Sequence, residues 1–105
     1  MEAAEPKRQR PRPSCKAKAV DFLARSDQSI RRLTEKLQRK EYTDEEIQET
    51  IDWLQEKHFL REEDGCQRRF EHMYQNTIYS LRQIVVKLRQ QGYDKDLVQS
   101  FVPDD

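Results

Sequence analysis

The sequence predicts an all-α protein: two tandem three-helix repeat units behind a disordered basic N-terminal arm. Three observations lead there. The 105 residues are 38% charged and 34% hydrophobic, with 2 Gly and 4 Pro. That composition suits amphipathic helices that bury narrow stripes, and it lacks the turn residues and β-branched runs of a sandwich, a barrel or a doubly wound sheet. From residue 14 onward, apolar residues recur at three- and four-residue intervals, punctuated by helix-capping residues. The chain also aligns with itself at a shift of 51. Ser29-Ile30-Arg31-Arg32-Leu33 then lies on Ser80-Leu81-Arg82-Gln83-Ile84, Lys36-Leu37 on Lys87-Leu88, Tyr42 on Tyr93 and Cys15 on Cys66.

Residues 1–13 read as the arm, because Pro6, Pro11 and Pro13 block helix while Lys7, Arg8, Arg10 and Arg12 repel one another. It is a solvated tail or a phosphate-seeking one. Ser14 can cap a first helix to about Arg25, with Ala19, Val20, Phe22 and Leu23 as its apolar surface. Ser26 or Asp27 can cap a second, whose Ile30, Leu33 and Leu37 form one stripe. Thr43-Asp44-Glu45-Glu46 is a capping box opening a third helix. Its Ile47, Ile51 and Leu54 face inward, and it stops near His58, where Phe59-Leu60 folds back onto the core. A fourth helix starts within 62–66, with Cys66, Phe70, Met73 and Thr77 at helical spacing. A fifth carries Leu81, Ile84, Val85 and Leu88 and ends at Gly92, which supplies a left-handed residue cheaply. Asp94 caps a short sixth with Leu97, Val98 and Phe101.

The units are therefore 14–60 and 61–105. With one residue dropped after Tyr93, Ile47 and Ile51 match Leu97 and Phe101. Each unit is too small to bury a stable core alone. The two are expected to pack on each other, or to stack in a shallow curve.

No apolar run approaches the ~18 residues of a membrane span. The start of the chain lacks a charged-then-apolar leader, and two cysteines make no disulfide framework. The expected setting is the cytosol, as a monomer, with no membrane and no small-molecule substrate. His58 and His72 are the only histidines, and neither forms a nucleophile or zinc signature with Cys15 or Cys66. The two Gly stand apart, so there is no phosphate loop. The expectation is a protein without enzymatic activity, catalytic residues, cofactor or metal.

Net charge is zero but unevenly spread: +7 over residues 1–40 and −7 over 41–71. Arg32, Lys36, Arg39 and Lys40 fall on one side of the second helix, beside its apolar stripe. The second copy reads Gln83, Lys87, Gln90 and Gln91 there, so the charge is not needed to build a unit. This stripe is either a solvated face with long stems over apolar surface or a partner site. The third helix carries the opposite sign, with Glu45, Glu49, Asp52 and Glu56 on its outer side. Trp53 lies at the edge of that helix's buried stripe, and Val86 faces water.

These positions together resemble the RecX family of bacterial recombination regulators. The first unit follows the family's pattern from Ala19 to Leu60. It has Leu23-Ala24-Arg25, then Ser29 three residues before Arg32-Leu33, then Lys36-Leu37. The capped acidic helix with Ile47, Ile51 and Leu54 follows, closing at Phe59-Leu60. The second unit shows Ile84, Leu88 and Gly92 at the family's Ile-x3-Leu-x3-Gly spacing. The resemblance implies repeated three-helix units that bind the RecA recombinase within its filament on single-stranded DNA. It also implies restraint of filament growth and of RecA's ATPase, strand-exchange and coprotease activities. The residues expected to meet acidic RecA surface or filament phosphates are Arg31, Arg32, Lys36, Arg39 and Lys40, with Arg82, Lys87 and Arg89 in support. Two other readings compete: a trihelical DNA-binding module, disfavoured by the neutral net charge, and a relative that keeps the fold but serves another protein.

Three departures from the family accompany the resemblance. Two units stand where members usually carry three. Gly65 replaces an aromatic, so the fourth helix is expected to start late. Glu41 stands where Gly is expected after the second helix, so that turn should be made differently.

Overall fold

The structure, a computed structural model, describes residues 12–103. The arm reading for residues 1–11 lies outside the described residues. Six helices follow one another and no strand occurs among the described residues: α1 Cys15–Arg25, α2 Ile30–Arg39, α3 Asp44–Glu56, α4 Glu62–Asn76, α5 Leu81–Gln90 and α6 Lys95–Gln99. The protein is all-α.

Capping chemistry accounts for most of the starts. Ser14 accepts from the Ala17 amide, and Asp94 accepts from that of Asp96. Thr43 and Glu46 make both bonds of a capping box, at 3.1 and 2.8 Å, and Ser80 and Gln83 make a second one. The cap of α2 is Ser29, whose hydroxyl accepts from the Arg32 amide at 3.0 Å, and not Ser26 or Asp27. Residues 26–28 form the connector instead: Gln28 and Ser29 are buried, and the Ser29 hydroxyl is bonded to Gln91 in the second half of the chain. The start of α4 has no side-chain cap, yet it falls at Glu62, at the early edge of the expected range. Gly65 lies inside that first turn, where Asp27 and the Tyr93 hydroxyl close in on it; an added Cβ would stand 3.2 Å from Asp27 Cβ. The packing expected of an aromatic is replaced by this close approach.

Two hydrophobic clusters result. Ala19, Leu33, Leu37, Ile47, Ile51, Leu54 and Leu60 form the first together with Cys15 and Tyr42. Cys66, Phe70, Ile84, Leu88, Tyr93 and Val98 form the second. The main helix–helix contacts join α1, α2 and α3 to one another, and likewise α4, α5 and α6. Val98 is fully buried, whereas Leu97 and Phe101 are only partly so. Val98 is thus the partner of Ile47 at the unbroken shift of 51, and no residue needs to be dropped. Met73 is partly buried, and Thr77 is exposed at the end of α4, so the buried stripe of that helix stops at Phe70. Leu60 folds back as expected, but Phe59 stays 58% exposed, meeting the Trp53 ring edge-on at 5.6 Å.

The halves do not share a core. They meet through polar groups, among them Ser29 with Gln91 and Glu62 with Ile30.

Candidate partner-binding face

The junction sets where the basic side chains lie. Ser29 donates its hydroxyl proton to the Gln91 carbonyl at 2.7 Å. Arg31 and Arg32 donate to the carbonyls of Arg89 and Gln90, at 3.3 and 3.0 Å. Three consecutive carbonyls at the end of α5 are thereby capped by the start of α2, which satisfies the acceptors that every helix C-terminus leaves open. Glu62 Oε2 in turn accepts from the Ile30 amide at 2.9 Å. Arg31 and Arg32 therefore have a structural task that their place on the stripe does not announce.

Below them lies a cleft of about 230 Å³ whose walls include Arg32, Lys36, Arg69, Asp27 and Gln91. Arg69 comes from α4 and donates to Gln91 Oε1 at 2.9 Å and to the Asp27 carbonyl. Asp27 is clamped by Arg68 in a two-point contact, Nε to Oδ2 at 3.0 Å and Nη2 to Oδ1 at 2.7 Å. The Arg68 hydrogen bonds hold the Asp27 carboxyl below its ordinary pKa against the opposing effect of burial. Burial pushes the Tyr93 phenol up to about 12, with the Arg69 charge offsetting part of the effect.

The remaining expected residues are not gathered at this cleft. Arg39 and Lys40 are exposed at the far end of α2. There the Lys40 carbonyl accepts from Arg12 at 2.7 Å, and the Arg12 guanidinium lies over the Tyr42 ring. On α5, Arg82 is exposed and Lys87 lies 4.6 Å from the Tyr79 ring centroid. Arg89 lines a separate shallow groove with Arg31, Val85 and Val86. Arg68 and Arg69 were missed by sequence reasoning. The one signal for them is that the repeat places Ala17 and Lys18 opposite, so a basic pair appears where the first copy has none.

Both cysteines are buried. Cys66 is fully buried, and burial, with the Glu62 charge, pushes its thiol up to about 11. Burial likewise raises Cys15. Among the described residues no group of three His, Cys, Asp or Glu could hold a metal ion, and no helix is long and apolar enough to cross a membrane.

Residues 15–54 match the family model for RecX, first three-helix domain. The match, over 40 of the 105 residues, relates α1–α3 to the RecX family. The matched stretch opens with the first residue of α1 and closes in α3 at the buried Leu54, so it spans the helices that form the first cluster and carry the basic stripe. No curated protein and no solved structure matches the chain.

Proposed function

We propose that the chain is a non-enzymatic regulator that binds the RecA recombinase and its filament on single-stranded DNA, and restrains filament assembly and activity. The observation that carries this reading is the RecX match over α1–α3, the helices that present Arg32, Lys36, Arg39 and Lys40. In this reading 14–60 and 61–105 act as two modules, with 1–13 as a basic arm. The protein works in the cytosol as a monomer, without cofactor. The basic face meets acidic RecA surface or filament phosphates, with Arg31, Arg82, Lys87 and Arg89 in support. Two separate small cores joined by polar groups also suit a protein that acts as two modules.

The test is RecA's DNA-dependent ATP turnover. Adding the protein lowers it. The variant Lys36→Glu/Arg39→Glu/Lys40→Glu leaves the Arg32 junction bond in place, and it should lose the effect while keeping its helical circular dichroism. Undiminished inhibition by that variant would remove these three residues from the site. The DNA-module reading instead expects tight DNA binding without RecA, falling steeply with salt; a gel shift at two salt concentrations separates the two.

A further inference from the structure

We propose that the cleft between Arg32, Lys36 and Arg69 binds a phosphate group of the kind a nucleic-acid backbone carries. The proposal deepens the reading above, on which its biological setting rests, by naming what one part of the basic face holds.

The charge balance of the cleft points this way. Three cations line it, and Asp27 is the one carboxylate among its described walls. Asp27 is already matched by the two-point contact from Arg68. Arg69 spends its hydrogen bonds on neutral oxygens, the Asp27 carbonyl and the Gln91 amide. Arg32 spends one on the Gln90 carbonyl and makes a long ion pair with Glu35, 3.9 Å from Nε. Lys36 lies over the Phe22 ring, 5.3 Å from its centroid. The cleft walls therefore carry more positive than negative charge, and like charges held together cost free energy that an anion would relieve.

The geometry favours phosphate over carboxylate. Two guanidiniums are pinned by bonds to oxygens of the junction, so little freedom is lost when they bind. Arg69 Nε is buried without a hydrogen-bond partner, and Lys36 adds a point charge on a flexible stem. Three cations lining one cleft suit a group with several charged oxygens better than a carboxylate with two. The cleft also exists only once. Its cations come from both halves of the chain, and the repeat replaces Arg32 with Gln83.

The experiment records amide NMR spectra of the full chain during titration with inorganic phosphate, with oligothymidylate and with hexaglutamate, at matched ionic strength. Phosphate and oligothymidylate should both shift the Ser29, Arg32, Arg69 and Gln91 signals. Lys36→Gln, which breaks no junction hydrogen bond, should weaken phosphate binding about tenfold. Its salt dependence for oligothymidylate should be shallower by about 0.7 in log–log slope. Lys57→Gln, removing an exposed cation outside the cleft, should change affinity less than about twofold. Unmoved cleft signals, or equal losses in both variants, overturn the proposal. Cleft shifts with phosphate but not oligothymidylate overturn the strand as the source and leave a free-phosphate site. Stronger response to hexaglutamate overturns phosphate in favour of an acidic segment. None of these readouts contains RecA, so their failure is distinct from failure of the ATP-turnover test.

Discussion

Glu41 and Gly92 occupy matching positions, and both are left-handed, at φ 67° and 101°. After each, a tyrosine returns its amide to the carbonyl five residues back: Tyr42 to Leu37 at 3.3 Å and Tyr93 to Leu88 at 3.2 Å. The turn expected to differ for want of glycine is therefore made the same way. The two positions differ in what covers them. A Cβ on Gly92 would stand 2.3 Å from Ser29 Oγ, whereas the Glu41 side chain is exposed and meets only the strain of its own backbone. Gly92→Ala should therefore cost about 2 kcal/mol, combining left-handed strain with a disturbed Ser29 bond. Glu41→Gly should stabilise by up to about 1 kcal/mol, since relief of the left-handed conformation outweighs the extra freedom of the unfolded chain. Urea unfolding of the two variants measures both; a destabilised Glu41→Gly would contradict the account.

At the scale of elements, the helix starts were the most legible feature. Ser14, Thr43 and Asp94 can be read from the residues alone because a cap bonds only to amides two or three positions away. Ser29 was not picked out as a cap, because Ser26 and Asp27 have the same local chemistry and stand earlier. The decision falls to Ser29 because its hydroxyl serves two partners, accepting from Arg32 and donating to Gln91. Thr43 and Ser29 should separate on substitution for that reason. Thr43→Ala loses an exposed cap and should cost about 1 kcal/mol. Ser29→Ala loses a cap and a buried junction bond, and should cost about 2 kcal/mol. Equal losses in thermal or urea unfolding would place Ser29 outside the junction. The start of α4 shows the opposite limit. It has no cap to read, and its position follows from the approach of Asp27 and Tyr93 to Gly65.

For the whole molecule, the joint between the halves is polar, and this shapes its response to acid. The Asp27 pKa is depressed in the folded chain, mainly by the Arg68 hydrogen bonds. A depressed carboxyl contributes stability above its unfolded value, near 4, and loses it as pH falls through the lower folded value. The difference in melting temperature between the native chain and Asp27→Asn should therefore be present at pH 6 and shrink below about pH 4. A difference that persists unchanged at pH 3 would show that the carboxylate charge is not what joins the halves there. Because the pair is partly exposed, with side chains 63% and 33% accessible, added salt should also narrow the difference.

The sequence by itself determined what depends on near neighbours. The all-α class, the caps, the apolar stripes and the 51-residue shift are all set by contacts within a turn or two of helix, or by repetition along the chain. So was the resemblance to RecX, carried by an ordered series of such local features. The tertiary structure alone decided which cations share a cleft. Lys36 and Arg69 are 33 positions apart in sequence, and only the meeting of the α2 start with α4 and the α5 end brings them together. It also decided that Arg31 and Arg32 cap another helix, because an arginine's donors look the same in sequence whether they face water or a carbonyl from a different part of the chain.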